Sequence, residues 1–168
     1  MRYLVFAFCV VAAACGDTHF KSSTAPSSTI SDASSTNATG GSELPVTGTL
    51  RATETSADGL NRLSGKGEAT HLGRFNFLSE FTVTPPPIST ASGTATWTAA
   101  NGDEIRTTVT GHAVVTFPTA AITETHVITS GTGRFVNASG TLVVQRSLNL
   151  LTLGSSSGSI AGTISLNH

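Results

Sequence analysis

The chain has 168 residues, with nine Lys or Arg against ten Asp or Glu and only 11% charged residues. That near-neutral balance, with no basic run and no alternation of aromatic and basic residues, disfavours nucleic acid as a partner. The 38% hydrophobic content is enough for one folded domain, although it is unevenly spread along the chain.

The chain opens with MRYLVFAFCVVAAAC. Arg2 supplies a positive n-region, Tyr3 to Val11 an apolar h-region, and Ala12-Ala13-Ala14 a small-residue cleavage site, so residues 1–14 read as a signal peptide. The apolar run is shorter than the roughly 20 residues that a membrane span needs. Cys15 follows Ala14 directly, as in a bacterial lipobox, where the new N-terminal cysteine carries a thioether-linked lipid. Ala12 stands where that motif usually has leucine. The expectation is lipidation at Cys15 and a lipid-anchored protein on a bacterial envelope membrane; the alternative is ordinary cleavage and secretion. Cys9 lies in the removed segment, which leaves Cys15 as the one mature cysteine and allows no intramolecular disulfide. Lipidation would also remove a lone thiol from an oxidising compartment.

Residues 15–43 form the next unit. Thr18 to Ser42 is rich in Ser and Thr and almost free of large apolar residues. Such a composition cannot offset the entropy of ordering, so it reads as a disordered tether. A flexible coil of about 25 residues reaches on the order of 28 Å, enough to lift a domain off a lipid surface.

Residues 44–168 have the size of one domain. Thr, Val, Ile and Phe are frequent, glycine or proline recurs about every 8–12 residues, and long helical periodicity is absent. Strands are expected at Val46–Thr55, Gly65–Leu72, Arg74–Thr84, Gly93–Ala99, Glu104–Phe117, Ile122–Thr129, Thr141–Asn149 and Ser159–Leu166. The fold class is therefore all-β, a single antiparallel up-and-down barrel of about eight strands, with a β-sandwich as the alternative. Asn101-Gly102 marks a hairpin between Trp97 and Ile105. Pro85-Pro86-Pro87 cannot donate ladder hydrogen bonds and ends its strand. Strand parity assigns the core: Phe75, Phe77, Phe81 and Val83; Ala95, Trp97 and Ala99; Ile105, Val109, Val115 and Phe117; Ile160, Ile164 and Leu166. Between Leu44 and His168 seven Lys/Arg stand against seven Asp/Glu, so the domain itself is neutral.

The stretch Gly131 to Val144, GTGRFVNASGTLVV, combines two glycine turns with a strand. Arg134-Phe135-Val136 reads as a short strand segment between two bends, with Arg134 solvated. In the strand that follows, Leu142, Val144, Arg146 and Leu148 share the more apolar face, which Arg146 interrupts. GTGRF and SGTLVV together resemble the glycine-rich hairpin of the allene oxide cyclase and dirigent barrels. HLGRF at His71–Phe75 is similar to a sequence in bacterial secreted proteins of similar barrel type. The resemblance spans about Leu44 to Leu166. It implies an eight-stranded antiparallel barrel with an interior pocket, and neither a catalytic residue nor cyclase activity carries over.

Several patterns look like chemistry. GSSSG at Gly154–Gly158 matches the G-x-S-x-G pattern around Ser156, but a nucleophile elbow needs a helix after the serine and a strand is expected here. LPVTG at Leu44–Gly48 spells a sortase signal in the wrong place, ahead of the whole domain. Glu124 and His126 are two apart and share a strand face. Facing a barrel interior they would form an acid–base pair and are the catalytic candidates, but the bland expectation is a solvated outer face. Arg106 and His112 share a face of the preceding strand, and Glu80 lies opposite its phenylalanines. His71, His112 and His126 sit on separate strands without metal-ligand spacing, so no metal and no cofactor is expected. The functional expectation is a lipid-anchored envelope barrel with a binding or structural role. A cyclase- or isomerase-like enzyme and a lipocalin-like carrier of a small apolar ligand are the alternatives.

Overall fold

A computed structural model describes residues 42–84, 89–152 and 154–166. The signal peptide, Cys15, nearly all of the tether and the triple proline lie outside the described residues. Eight strands follow one another: β1 (Glu43–Ala57), β2 (Leu60–Ala69), β3 (Gly73–Val83), β4 (Thr90–Ala99), β5 (Glu104–Thr116), β6 (Thr119–Gly131), β7 (Ser139–Asn149) and β8 (Ser155–Ser165). Each pairs antiparallel with the next, and β8 pairs with β1, which closes an up-and-down barrel. Closure leaves no sheet edge unpaired. The expected barrel is thus the observed one; every strand but β5 begins before its predicted start, while β2, β3, β5 and β8 end one to three residues short of their predicted ends.

Alternation of exposure along each strand fixes the inward set. Phe75, Phe77, Ser79 and Phe81 of β3 point inward, as do Ala95, Trp97 and Ala99 of β4 and Ile105, Thr107 and Val109 of β5; all are buried. Small residues stand across the ladder from large ones. Gly67 pairs with Phe75, Gly65 with Phe77 and Gly93 with Phe81. A Cβ on Gly93 would lie 2.7 Å from the Phe81 Cβ, closer than side chains tolerate. Trp97 fills the centre, with ring centroids 4.6 Å from Phe77 and 5.2 Å from Phe75.

The two ends of the barrel differ. One end holds the β2–β3, β4–β5 and β6–β7 connections. There the predicted strand at Arg134–Val136 is instead a single 3-10 turn, Gly133–Phe135. The physical reason is local: Gly133 takes φ +54, and Asn137 takes φ +60, which bends the chain across the barrel end and away from the sheet. The turn drives Phe135, fully buried, into the barrel against a core that includes Leu72 and Ile105. Arg134 is exposed, as expected, but it is not without partners. Its Nη2 donates to the Leu72 carbonyl at 2.8 Å, and its guanidinium lies 4.7 Å from the Phe135 ring centroid.

At the opposite end Val83 and Val115, expected in the core, are 45% and 39% exposed. Their parity is inward, since Val83 pairs with Ala91 and Val115 with the buried Ala120. Inward-facing side chains reach solvent only where the barrel mouth is open. Phe117 lies beyond the end of β5, in the turn, and is 72% exposed. Leu166, just past β8, is partly buried.

Candidate functional site

Just below the open mouth the barrel interior changes from apolar to charged. Glu124 and His126 are not on the solvated outer face expected for them. They point inward from β6 and are 3% and 0% exposed. A bulge in the β5–β6 ladder at Thr129 adds one residue between them and the closed end. It switches strand parity, so that even-numbered residues face inward up to Ile128 and Gly131 faces inward beside Phe135. Across the β6–β7 ladder, Ile122 pairs with Arg146, which makes Arg146 an inward residue as well.

Arg146 organises the cluster. Its Nε donates to both Glu124 carboxylate oxygens at 3.2 Å, and its Nη2 donates to Glu124 Oε1 at 2.9 Å. The same Nη2 reaches Glu54 Oε2 at 3.1 Å. Glu54 belongs to β1, two strands away, and the arginine must cross β8 to meet it. Gly158 is the β8 residue opposite Arg146, and a Cβ there would lie 2.7 Å from the arginine Cβ. Likewise Gly111 of β5 stands opposite Glu124, where an added Cβ would come within 3.1 Å of the Glu124 Cγ. The glycines opposite both charged residues therefore leave the room that the cluster occupies.

His126 is held from the aromatic side. Thr107 Oγ1 is 3.1 Å from its Nδ1, and Trp97 Nε1 lies 3.4 Å from the same oxygen. An indole N–H only donates, so the Thr107 oxygen accepts from Trp97 and its own proton is free to go to Nδ1. A neutral ring accepting at Nδ1 from Thr107 carries its proton on Nε2. Nε2 sits 4.0 Å from Glu124 Oε2, longer than an ordinary hydrogen bond and an ion pair only when the ring is protonated. The imidazole also meets Trp97 and Phe77 edge-on, at 5.1 and 5.8 Å between centroids.

Electrostatics follow from these contacts. Burial pushes the Glu124 carboxyl up, but His126 and Arg146 beside it outweigh that and hold it net below its ordinary value. Burial pulls the Arg146 guanidinium down, and Glu124 and then Glu54 overcome this and leave it net raised. Glu124 is thus an ionised carboxylate and Arg146 a cation, both deep in the protein. Two buried nitrogens among the described residues nonetheless have no hydrogen-bond partner, Arg146 Nη1 and His126 Nε2. Buried polar groups are ordinarily satisfied, so these two nitrogens flanking one carboxylate are unused hydrogen-bonding capacity inside the barrel.

Around the mouth lie Leu60, Val83, Val115, Phe117, Leu150 and Leu151, all exposed. Leu150 N donates to the Pro118 carbonyl at 3.0 Å, which ties the β5–β6 and β7–β8 turns together. The closed end carries, among the described large apolar residues, only Val136 exposed.

The other sequence candidates do not converge. His71 lies exposed in the β2–β3 turn, His112 points outward from β5, and only His126 is inside. Among the described residues no three of His, Cys, Asp and Glu gather to hold a metal. Arg106 and Glu80 are outward-facing and pair with Glu104 and Arg62. Ser156 lies within β8 rather than in a turn, buried, and donates to the Ala52 carbonyl at 3.4 Å; a strand continues after it, so no nucleophile elbow forms. The LPVTG motif is part of β1. Sequence reasoning missed Glu54 and Thr107 and treated Arg146 as an interruption. The available signal was parity, since each is a polar residue at a position of inward phase.

No family model and no curated protein matches this chain. Among solved structures, the pterocarpan synthase dirigent protein GePTS1 is similar, with a TM-score of 0.53 and 11% sequence identity over 83% of this chain and 98% of that one. At that identity the likeness concerns the barrel fold.

Proposed function

We propose that this is a lipid-anchored envelope protein whose barrel binds a small, largely apolar molecule at its open mouth. The ligand's oxygen acceptor would point down to Arg146 Nη1 and His126 Nε2, and its apolar body would rest on the rim around Val115 and Phe117. The observation that carries this reading is the pair of buried donors without partners beneath a mouth whose inward valines reach solvent. An apolar enclosure with a few convergent polar groups is the usual form of a small-molecule site.

Trp97 is the one tryptophan of the chain and lies 5.1 Å from His126, so its fluorescence reports on the site. Titration with anilinonaphthalene sulfonate, an apolar anion, should change Trp97 emission saturably. Val115→Glu, at an exposed rim position, should weaken that binding at least tenfold with little loss of stability. Unaltered binding in Val115→Glu would place the ligand elsewhere.

The anchor rests on Cys15 after Ala12-Ala13-Ala14. The mature protein should partition into detergent, and Cys15→Ser should release it or leave it unprocessed. An unmodified Cys15 N-terminus by intact mass would make the protein secreted instead. A second reading, a barrel enzyme of cyclase or isomerase type, is favoured by the side-by-side Glu124 carboxylate and His126 imidazole and by a neighbour named as a synthase. It predicts a His126→Gln variant that binds ligand and does not turn it over.

A further inference from the structure

The seven Lys and Arg side chains of the described residues fall into two groups. Arg62, Arg106, Arg134 and Arg146 each lie within ion-pair distance of a carboxylate. Arg51, Lys66 and Arg74 have no such partner, and all three line one groove of about 410 Å³ on the outer face of β1–β3. Arg51 stands directly opposite Lys66 in the β1–β2 ladder. Like charges in that position repel and cost stability. Arg74 of β3 stands opposite Glu68, with no ion pair closed between them. The groove also presents Thr49, Asn76 and Thr98. With Glu68 counted, its charge is three positive against one negative, in a domain whose other cations are neutralised.

We infer that this groove binds a compact molecule carrying two phosphate groups. Strands are about 4.8 Å apart and residues about 3.4 Å apart along them, so Arg51 on β1 and Arg74 on β3, two strands and two positions of register apart, are spaced by about 12 Å, with Lys66 on β2 beside Arg51. Two guanidinium forks suit oxyanions through paired hydrogen bonds, and the lysine adds a point charge. The threonines and Asn76 supply hydroxyl and amide partners for the body that joins the phosphates. The site is separate from the barrel mouth and does not depend on the reading of that mouth. Its phosphates could belong to a soluble metabolite or to lipid headgroups, and the recognition chemistry is the same.

The test is calorimetric titration at low salt with fructose 1,6-bisphosphate and with inorganic phosphate, beside flotation with phosphatidylglycerol vesicles, all on the chain carrying Cys15→Ser so that no N-terminal lipid can float it. The bisphosphate should bind more tightly than inorganic phosphate, and the binding should weaken as salt screens it. Arg51→Gln and Lys66→Gln should each weaken it about 3- to 5-fold, the upper range for an exposed ion pair. Glu68→Gln should tighten it, and Arg106→Gln, exposed but outside the groove, should leave it unchanged. All four positions are exposed, and thermal unfolding of each variant checks that the fold is kept. Vesicle flotation that is lost in Arg51→Gln identifies headgroups as the source, whereas bisphosphate binding without flotation identifies a soluble ligand. Absence of binding to all three probes, or equal weakening by Arg106→Gln and Arg51→Gln, would overturn the inference.

Discussion

The two ends of this barrel are built from the same eight strands and opposite chemistry. At the closed end Phe135, Leu72, Ile105 and Ile164 fill the interior with side chains that have nothing to satisfy but packing. At the open end Glu124 and Arg146 are taken out of water, with the half-buried Glu54 beside them, and their charges must satisfy one another. An apolar plug adds stability roughly in proportion to the area it buries. A buried ion pair returns little beyond its own desolvation. The open end is therefore not there to hold the fold together. It keeps charged groups at fixed geometry beneath an aperture, at a cost that the closed end offsets.

The largest effects should come from disturbing each end in its own way. Phe135→Ala removes the plug and should cost about 3–5 kcal/mol, as large-to-small changes of buried aromatics do. Arg146→Leu should cost a similar amount, about 3–5 kcal/mol, because it strands the Glu124 carboxylate. The two losses separate in a second step. Adding Glu124→Leu to Arg146→Leu should restore most of the stability, since it removes the uncompensated charge. Urea denaturation of the single and double variants measures this, and a double variant no better than Arg146→Leu would mean that the arginine acts through packing.

Backbone strain at the closed end comes next. Gly133 has φ +54, and a Cβ there would run into the Asp103 carboxyl. Gly133→Val should therefore lose about 1–3 kcal/mol in thermal unfolding. Arg134→Ala, which gives up the hydrogen bond to the Leu72 carbonyl, should cost about 1 kcal/mol. Arg106→Ala, exposed on the outer wall, should stay within about 0.5 kcal/mol.

Acid acts on the open end through Glu124. The Glu124 carboxyl titrates below its ordinary range in the folded protein, so between the two values the unfolded chain binds the extra proton. Stability from this group is then fully present above the unfolded value, and it is lost as pH falls through the folded one. Relative to Glu124→Gln, the wild-type advantage should be constant near neutrality and shrink on acidification. Wild type that gains on Glu124→Gln as pH falls would show that burial, rather than Arg146, governs the carboxyl.

Much of the fold was legible along the chain because a strand repeats every two residues. That period alone marks Phe75, Phe77 and Phe81 as one face and Trp97 with Ala95 and Ala99 as another. It also carried an unread message, since Glu54 shares the phase of Leu50 and Ala52, and Arg146 that of Leu142 and Val144. Phase says which residues lie on one side and not how near they come to residues of another strand. Glu54 and Arg146 are 92 positions apart and meet only because β8 closes the ring onto β1 and Gly158 lets the arginine cross it. The burial of Glu124 and His126 likewise depends on the closed ladder, which turns one face of β6 to an interior that no short stretch can specify. The open mouth was beyond reach for the same reason. Val83 and Val115 carry the inward phase of buried residues, and only the height of the barrel wall around them decides that they reach water.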